Sequence, residues 1–303
     1  MIPTLNGVVI VDKPVGPTSF DIVHQARRLT GSRKVGHGGT LDPAASGVLP
    51  ICFGEGTKIA QFLLDADKEY LATVRFGVAT DSYDATGKVT GRQPAPHLTS
   101  GAVADALAPF RGWIDQTPPV FSALKRDGKP LYAYARAGEE ITVASRRVRL
   151  DALVLEDFEA ANPDEPTARL RVVCSKGTYI RSLAHDLGAA LGVGAHLAAL
   201  RRTRSGPFGL DQAIAPEALV GADAVLLSPA QALAGLPALT ISAERAAAVS
   251  DGKAISWQDL GPSPPEGEGP IRLLDEEGRL IAVAIPAGPS ERVRTLRVFR
   301  REG

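Results

Sequence analysis

Apolar and polar positions along this chain fall into short runs of two periods, punctuated by glycine and proline. NGVVIVDKP is a continuous apolar run closed by Pro14, which predicts a buried strand. TSFDIVHQARRLTG spaces its apolar residues near 3.6, opens on the capping residue Thr18 and closes on Gly31, so it predicts a helix. GEGTKIAQFLLDADKEY predicts a second helix, and YLATVRFGVAT then alternates as a strand ahead of the turn-rich DSYDATGKV. Residues 99–110 read as helix. QTPPVFSALKRDGKPLYAYARAG starts as a proline-directed loop and ends as helix. VRLDALVLEDFEA and ARLRVVCSKG read as strands, and TYIRSLAHDLGAALG as an amphipathic helix with Leu183, Leu187 and Leu191 on one face.

Pro216 to Pro237 reads as helix and connector, and the character of the chain changes near residue 235. Elements become short, LGPSPPEGEGP forms a loop at 260–270, and IRLLDEEGRLIAVAI is a hairpin pattern split by DEEGR. We therefore expect two domains, 1–235 and 236–303, the second small and β-rich. Strands and helices are mixed without a clean parallel alternation, which predicts an α+β fold on a mixed sheet.

Of 303 residues, 44% are hydrophobic and 22% charged, an ordinary soluble composition. No run approaches the ~20 apolar residues of a membrane span. The N-terminus lacks the basic start and long apolar run of a signal peptide. Cys52 and Cys174 are too few and too far apart for a disulfide framework or a zinc site, and their apolar settings predict buried free thiols in a reducing cytoplasm. The zero net charge hides an asymmetry of +4 over residues 1–210 and −4 over 211–303. Lys125, Arg126, Arg146, Arg147 and Arg149 cluster, as do Arg201, Arg202 and Arg204 in RRTR. Such clusters suit either a phosphate-binding surface or a solvated face, and charge alone favours the second.

One stretch changes the picture. GHGGTLDPAASGVLP isolates Asp42 among glycines, small residues and prolines, with His37 as the other ionisable group. Asp-Pro by itself is a turn dipeptide. Here, though, Gly36, Gly38 and Gly39 on one side and Ala44 to Gly47 on the other keep the backbone bare enough for something large and flat to approach. A lone carboxylate lacks the partner that hydrolytic glycosidases use. GxSxG, HExxH, CxxC, Walker and Rossmann motifs do not occur. Nucleophilic or electrostatic work by one carboxylate remains, without metal or redox cofactor.

GHGGTLDPAASGVLPICFGEGTK resembles the catalytic motif of the TruB family, the bacterial tRNA pseudouridine-55 synthases. DKPVGPTS, KEYLATVRFGVATDSYDATG, QTPPVFSALKRDGKPLYAYARAG, VVCSKGTYIRSLAHDLG and GAHLAALRRTRSGPF resemble further signature blocks of that family, in its order and at its spacing. The likeness covers roughly residues 5–210 closely. The tail from about 237 resembles, more loosely, a PUA-type RNA-binding module.

The resemblance implies a pseudouridine-synthase fold and isomerisation of uridine 55 in the T-loop of tRNA. The N1–C1′ bond breaks, the uracil turns and C5 joins C1′, with no cofactor and no metal. It implies that Asp42 is the nucleophile, acting at the ribose C1′, through a glycal, or at uracil C6, routes that stay open here. The base would be flipped out to reach it. Tyr70 would lie against the uracil and serve the proton step at C5, and Arg181 would pair with Asp42 and keep it anionic. Tyr179 would contact substrate, Leu200 would wall the uracil pocket, His37 would hold the flipped conformation, and Lys13 would bind a phosphate or a backbone carbonyl. Lys125, Arg126, Arg146, Arg147, Arg149, Arg201 and Arg202 would grip RNA, while Phe121 stands where family members often carry tyrosine. The expected partner is the tRNA T-arm, met in the cytoplasm by a monomer with no obligatory protein partner and no membrane attachment. Two rivals are a guide-RNA-dependent relative that modifies ribosomal RNA and an RNA-binding protein whose catalysis is secondary.

Overall fold

Thr18 and Asp21 close a capping box, each side chain accepting from the other's amide, and so start helix α1 (Ser19–Thr30), which Gly31 ends at φ 70°. The computed structural model that shows this describes residues 5–122, 124–126, 128–137, 139, 141–253, 255–260, 269–286 and 291–299. The second expected helix is cut short. Gly54–Ile59 is a 3₁₀ turn, α2 spans only Ala60–Asp65, and Lys68 already begins a strand. Ala66 is extended, and Lys68 to Tyr70 pair with strands on both sides. Two ladders of backbone hydrogen bonds outweigh the helical spacing that the apolar residues suggest.

A nine-stranded mixed sheet carries the larger part of the chain. Its strands are β1 (Gly7–Lys13), β2 (Val35–His37), β3 (Ala45–Phe53), β4 (Lys68–Phe76), β5 (Gly112–Gln116), β6 (Arg146–Glu159), β7 (Thr167–Cys174), β8 (Ala195–Ser205) and β9 (Phe208–Gly209). Their order is β1-β3-β8-β4-β7-β6-β5, with β2 on β3 and β9 on β8. The β3–β8 pair is parallel, Leu200 opposite Ala45, and the other pairs are antiparallel. The central β8 was not anticipated as a strand. Register shifts at Leu197/Ala199 and Arg202/Arg204 interrupt its two-residue alternation, which removes the usual pattern from the sequence.

Two cores meet along this sheet. Helix α3 (Ser100–Ala106) and helix α4 (Ile180–Ala190) pack on β4, β6 and β7, where Leu183 and Leu187 are buried and Leu191 partly so. Helix α1 covers β1 and β3 through Ile22, Val23 and Ala26. Tyr70 and Leu200 touch both cores, so the seam between them lies at the edge of β4 and β8.

The tail forms a separate four-stranded sheet, β10 (Ala238–Thr240), β11 (Ile271–Leu274), β12 (Leu280–Ile285) and β13 (Arg294–Val298), in that order. The expected hairpin is β11–β12, Ile271 opposite Ala284. Leu280, Val283 and Phe299 pack into one core with Val8, Ile10 and Cys52, tying the module to the main sheet. Residues 261–268 of the expected proline-glycine loop lie outside the described residues. Cys52 and Cys174 are buried free thiols, each pushed up to about 12 by burial. No described helix is long and apolar enough to cross a membrane.

Gly47 sits at φ 107°, and a Cβ there would stand 2.1 Å from the Arg202 carbonyl oxygen across the parallel β3–β8 pair. Gly47→Ala should therefore cost about 3 kcal/mol of stability from backbone strain and overpacking together. Chemical denaturation of the two proteins measures it, and equal midpoints would refute this account of the glycine.

Candidate active site

The loop that carries Asp42 is pinned from three directions. Ser19, the first residue of α1, donates through Oγ to the Leu41 carbonyl at 3.0 Å and accepts from the Leu41 amide at 2.8 Å. The Asp42 carbonyl accepts from the Ala45 amide at 3.0 Å, closing the turn into β3. Behind the loop, the Arg202 guanidinium donates to the carbonyls of Gly39 (3.1 Å), Thr40 (3.3 Å) and Val48 (2.7 Å). The bare backbone thus serves the chain's own packing: Gly38 lies against Leu63 and Pro50, Gly39 faces Arg202, and Gly47 meets the Arg202 backbone.

Asp42 projects from this support with its side chain 46% exposed, whereas Arg181 is 7% exposed. Arg181 Nη2 pairs with Asp42 Oδ2 at 3.0 Å, and Nη1 with Asp84 Oδ2 at 3.5 Å. Nη1 also donates to the carbonyls of Phe121 (3.0 Å) and Ser82 (3.3 Å). Asp84 is itself fixed. Its Oδ1 accepts from Ser82 Oγ at 2.9 Å, the Thr86 amide at 2.9 Å and Thr86 Oγ1 at 2.6 Å. Two carboxylates and two carbonyls hold the two terminal nitrogens of this buried guanidinium, and its direction towards Asp42 is set.

In front of the pair lies a cleft of about 400 Å³, lined by Asp42, Tyr70, Tyr179, Arg181 and Leu200 among others. That volume suits a nucleoside-sized ligand. Burial pushes the Tyr70 phenol above its ordinary value, against the opposing charge of Arg202, so the ring enters the cleft as a neutral hydroxyl. Tyr179 caps the start of α4, and its backbone is gripped on both sides by the buried Gln116, whose Nε2 donates to the Tyr179 carbonyl at 3.0 Å and whose Oε1 accepts from its amide at 2.7 Å. The Arg146 guanidinium lies 4.7 Å from the Tyr179 ring centre and donates to the Gly177 carbonyl. Lys68, on the cleft floor, donates to the carbonyls of Leu63, Leu64 and Ala66, and burial lowers its ammonium to about 8.

One of the two partners expected for Lys13 is found, and two other expectations change. Lys13 is buried and donates to the carbonyls of Pro14 (2.9 Å) and Pro17 (2.7 Å), so its partners are backbone and not a phosphate or the substrate. Arg202 is 1% exposed and consumed by three carbonyls, so it braces the aspartate loop and cannot grip RNA. RRTR does not present one basic face: Arg201 pairs with Asp12 at 2.7 Å, and Arg204 donates to the Gly206 carbonyl at 3.2 Å. His37 ends β2 beside the loop without lining the cleft, its Nδ1 accepting from the Gly39 amide at 3.4 Å. Arg147 and Arg149 flank the exposed Trp113 ring at 5.2 and 5.7 Å, and Arg149 also pairs with Asp67 and Asp151. Lys125 and Arg126 sit exposed on a short hairpin with Lys129 and Pro130.

Sequence reasoning missed Asp84, Gln116 and Lys68 as members of this site. Asp84 lay in a segment whose aspartates and glycine read as turn chemistry, and Gln116 and Lys68 carry no local signal at all.

A mixed sheet of this order carries a nucleoside-sized cleft with an arginine-held aspartate in its lining, and known pseudouridine synthases share its fold and sequence. A solved Cbf5–Nop10–Gar1 complex contains a chain that superposes with a TM-score of 0.75 at 28% identity, over 97% of this chain and 85% of that one. An archaeal box H/ACA Nop10–Cbf5 complex gives 0.74 at 26% identity, over 98% and 87%. Residues 27–180 match the family described as TruB family pseudouridylate synthase (N terminal domain), and 181–230 match the tRNA pseudouridylate synthase B C-terminal domain. The tRNA pseudouridine synthase B of Symbiobacterium thermophilum is 50% identical over 82% of this chain and 83% of its own, and that of Ralstonia nicotianae 48% over 86% and 83%. The chain belongs to the TruB family.

Burial, reinforced by the Arg202 charge, lowers the His37 pKa from 6.5. The unfolded chain therefore binds this proton more readily, so the neutral ring's contribution to stability is full above 6.5 and is lost as pH falls through the lowered folded value. The His37 imidazole resonance should titrate with a midpoint below 6.5 in NMR of the folded protein, and a midpoint above that would contradict its half-buried placement within the field of Arg202.

Proposed function

We propose that this chain isomerises uridine 55 in the T-loop of tRNA to pseudouridine with Asp42 as its nucleophile. The observation that carries the reading is the Arg181–Asp42 pair at 3.0 Å, on the floor of a cleft walled by Tyr70, Tyr179 and Leu200, in a TruB-family chain. The target nucleotide is flipped out of the RNA and enters the cleft. Leu200 and Tyr70 offer a flat base apolar and aromatic contact, while the half-exposed Asp42 carboxylate faces the sugar and base edge. The N1–C1′ bond breaks, C5 joins C1′, and the proton that leaves C5 is balanced by one taken at N1, so nothing is oxidised or reduced. The neutral Tyr70 hydroxyl is suited to relay that proton.

RNA grip outside the cleft is assigned to Lys125, Arg126, Arg147 and Arg149, with Arg146 in the cleft wall beside Tyr179 and Arg201 shared with Asp12. Trp113, 56% exposed between Arg147 and Arg149, offers that surface a stacking face. We assign residues 236–303 to a PUA-like module that follows the catalytic domain, supported by its separate sheet. The enzyme acts on the T-arm in the cytoplasm as a single chain without guide RNA or protein partner.

Asp42→Asn should abolish pseudouridine formation in an unmodified tRNA transcript, read by chemical labelling of position 55, while the tRNA dissociation constant stays within about threefold. Isomerisation at near the wild-type rate would sink the assignment. Charge reversal of Arg147 and Arg149 together should weaken tRNA binding and reduce the slope of log affinity against log salt by about 2. An unchanged slope would make these arginines a solvated face.

A further inference from the structure

Tyr83 is the one described residue other than glycine with a left-handed backbone, at φ 64°. Bulky L-residues seldom adopt that conformation, so something must hold it. Its ring stacks on His185, with centres 3.9 Å apart and planes 14° from parallel. His185 lies one helical turn beyond Arg181 on α4, so both side chains leave the same face of the helix towards the same loop. The residues on either side of Tyr83 both grip Arg181: the Ser82 carbonyl accepts from Nη1 at 3.3 Å and Asp84 Oδ2 pairs with it at 3.5 Å. A left-handed residue between them reverses the chain, which lets a carbonyl before it and a carboxylate after it aim at one guanidinium. The Tyr83 carbonyl, in turn, accepts from the Leu197 amide of β8 at 2.9 Å. Neither ring lines the cleft.

We propose that the Tyr83–His185 stack is a positioning clamp for the isomerisation: it holds the Ser82–Asp84 turn in register with α4, and through it keeps Arg181 directed at Asp42. The clamp acts on the chemical step and not on RNA binding, because its rings lie outside the cleft while the guanidinium they position lies within it. The inference rests on the pseudouridine-forming activity of Asp42 and Arg181, and wild-type enzyme on the same transcript is the control that separates a failure of that activity from a failure of the clamp.

The test uses the full chain and an unmodified tRNA transcript, with single-turnover rate and tRNA dissociation constant measured for Tyr83→Ala, His185→Ala, Tyr83→Phe and His185→Phe. Both alanine variants should lose about tenfold in rate with affinity within about twofold, the signature of misplaced catalytic groups. The phenylalanine variants keep a flat ring and should stay within about twofold of wild type. The double alanine variant should be no slower than the slower single, since both remove one contact. Should Tyr83→Ala fail to fold, the partly exposed His185→Ala carries the test alone. Unchanged rates in the alanine variants would overturn the clamp. So would a rate loss that merely tracks lost affinity, or phenylalanine variants as slow as alanine.

Discussion

The Arg181 guanidinium, buried between the carboxylates of Asp42 and Asp84, is the contact on which the rest of the site depends. A charge this far from water is tolerated only when its partners are all present, and stripping one from a buried pair typically costs about 3–5 kcal/mol. The arrangement therefore links three distant pieces of chain. The aspartate loop supplies Asp42, the turn after β4 supplies Asp84 and the Ser82 carbonyl, and the segment before the short hairpin supplies the Phe121 carbonyl. Each holds the arginine, and the arginine holds each of them to the cleft.

A second buried guanidinium does the complementary task. Arg202 donates to three carbonyls around the aspartate loop and β3, and its backbone lies against Gly47 in the parallel β3–β8 pair. Asp42 is thus carried on a ledge braced from below by one cation and directed from the side by another. The net charge of zero thus hides a division of labour: Arg181 and Arg202 are internal structural cations, while Arg147 and Arg149 beside Trp113 stay at the surface.

Much of this was legible along the chain. The capping residue and closing glycine of α1, the alternation in β7, the hairpin of the tail and the isolation of Asp42 are local patterns, and each appears where the residues place it. The failures have a common cause. β8 was missed because its bulges erase the two-residue period, α2 was overextended because β7 and β8 claim Lys68 to Tyr70, and Arg202 was read as a surface cation because burial is not written in a basic run.

By itself, the sequence determined the α+β class and those helices and strands whose period runs uninterrupted, and its resemblance to the TruB family singled out Asp42, Tyr70 and Arg181 as a set worth bringing together. Only the tertiary structure decided that Asp84 and the Phe121 carbonyl share Arg181, that Gln116 clasps the Tyr179 backbone, and that Lys13 and Arg202 face inward. The physical reason is range. Capping and periodicity act over a few residues and leave a mark in local order, whereas a buried charge is satisfied by groups that only the strand order brings within 3 Å or so.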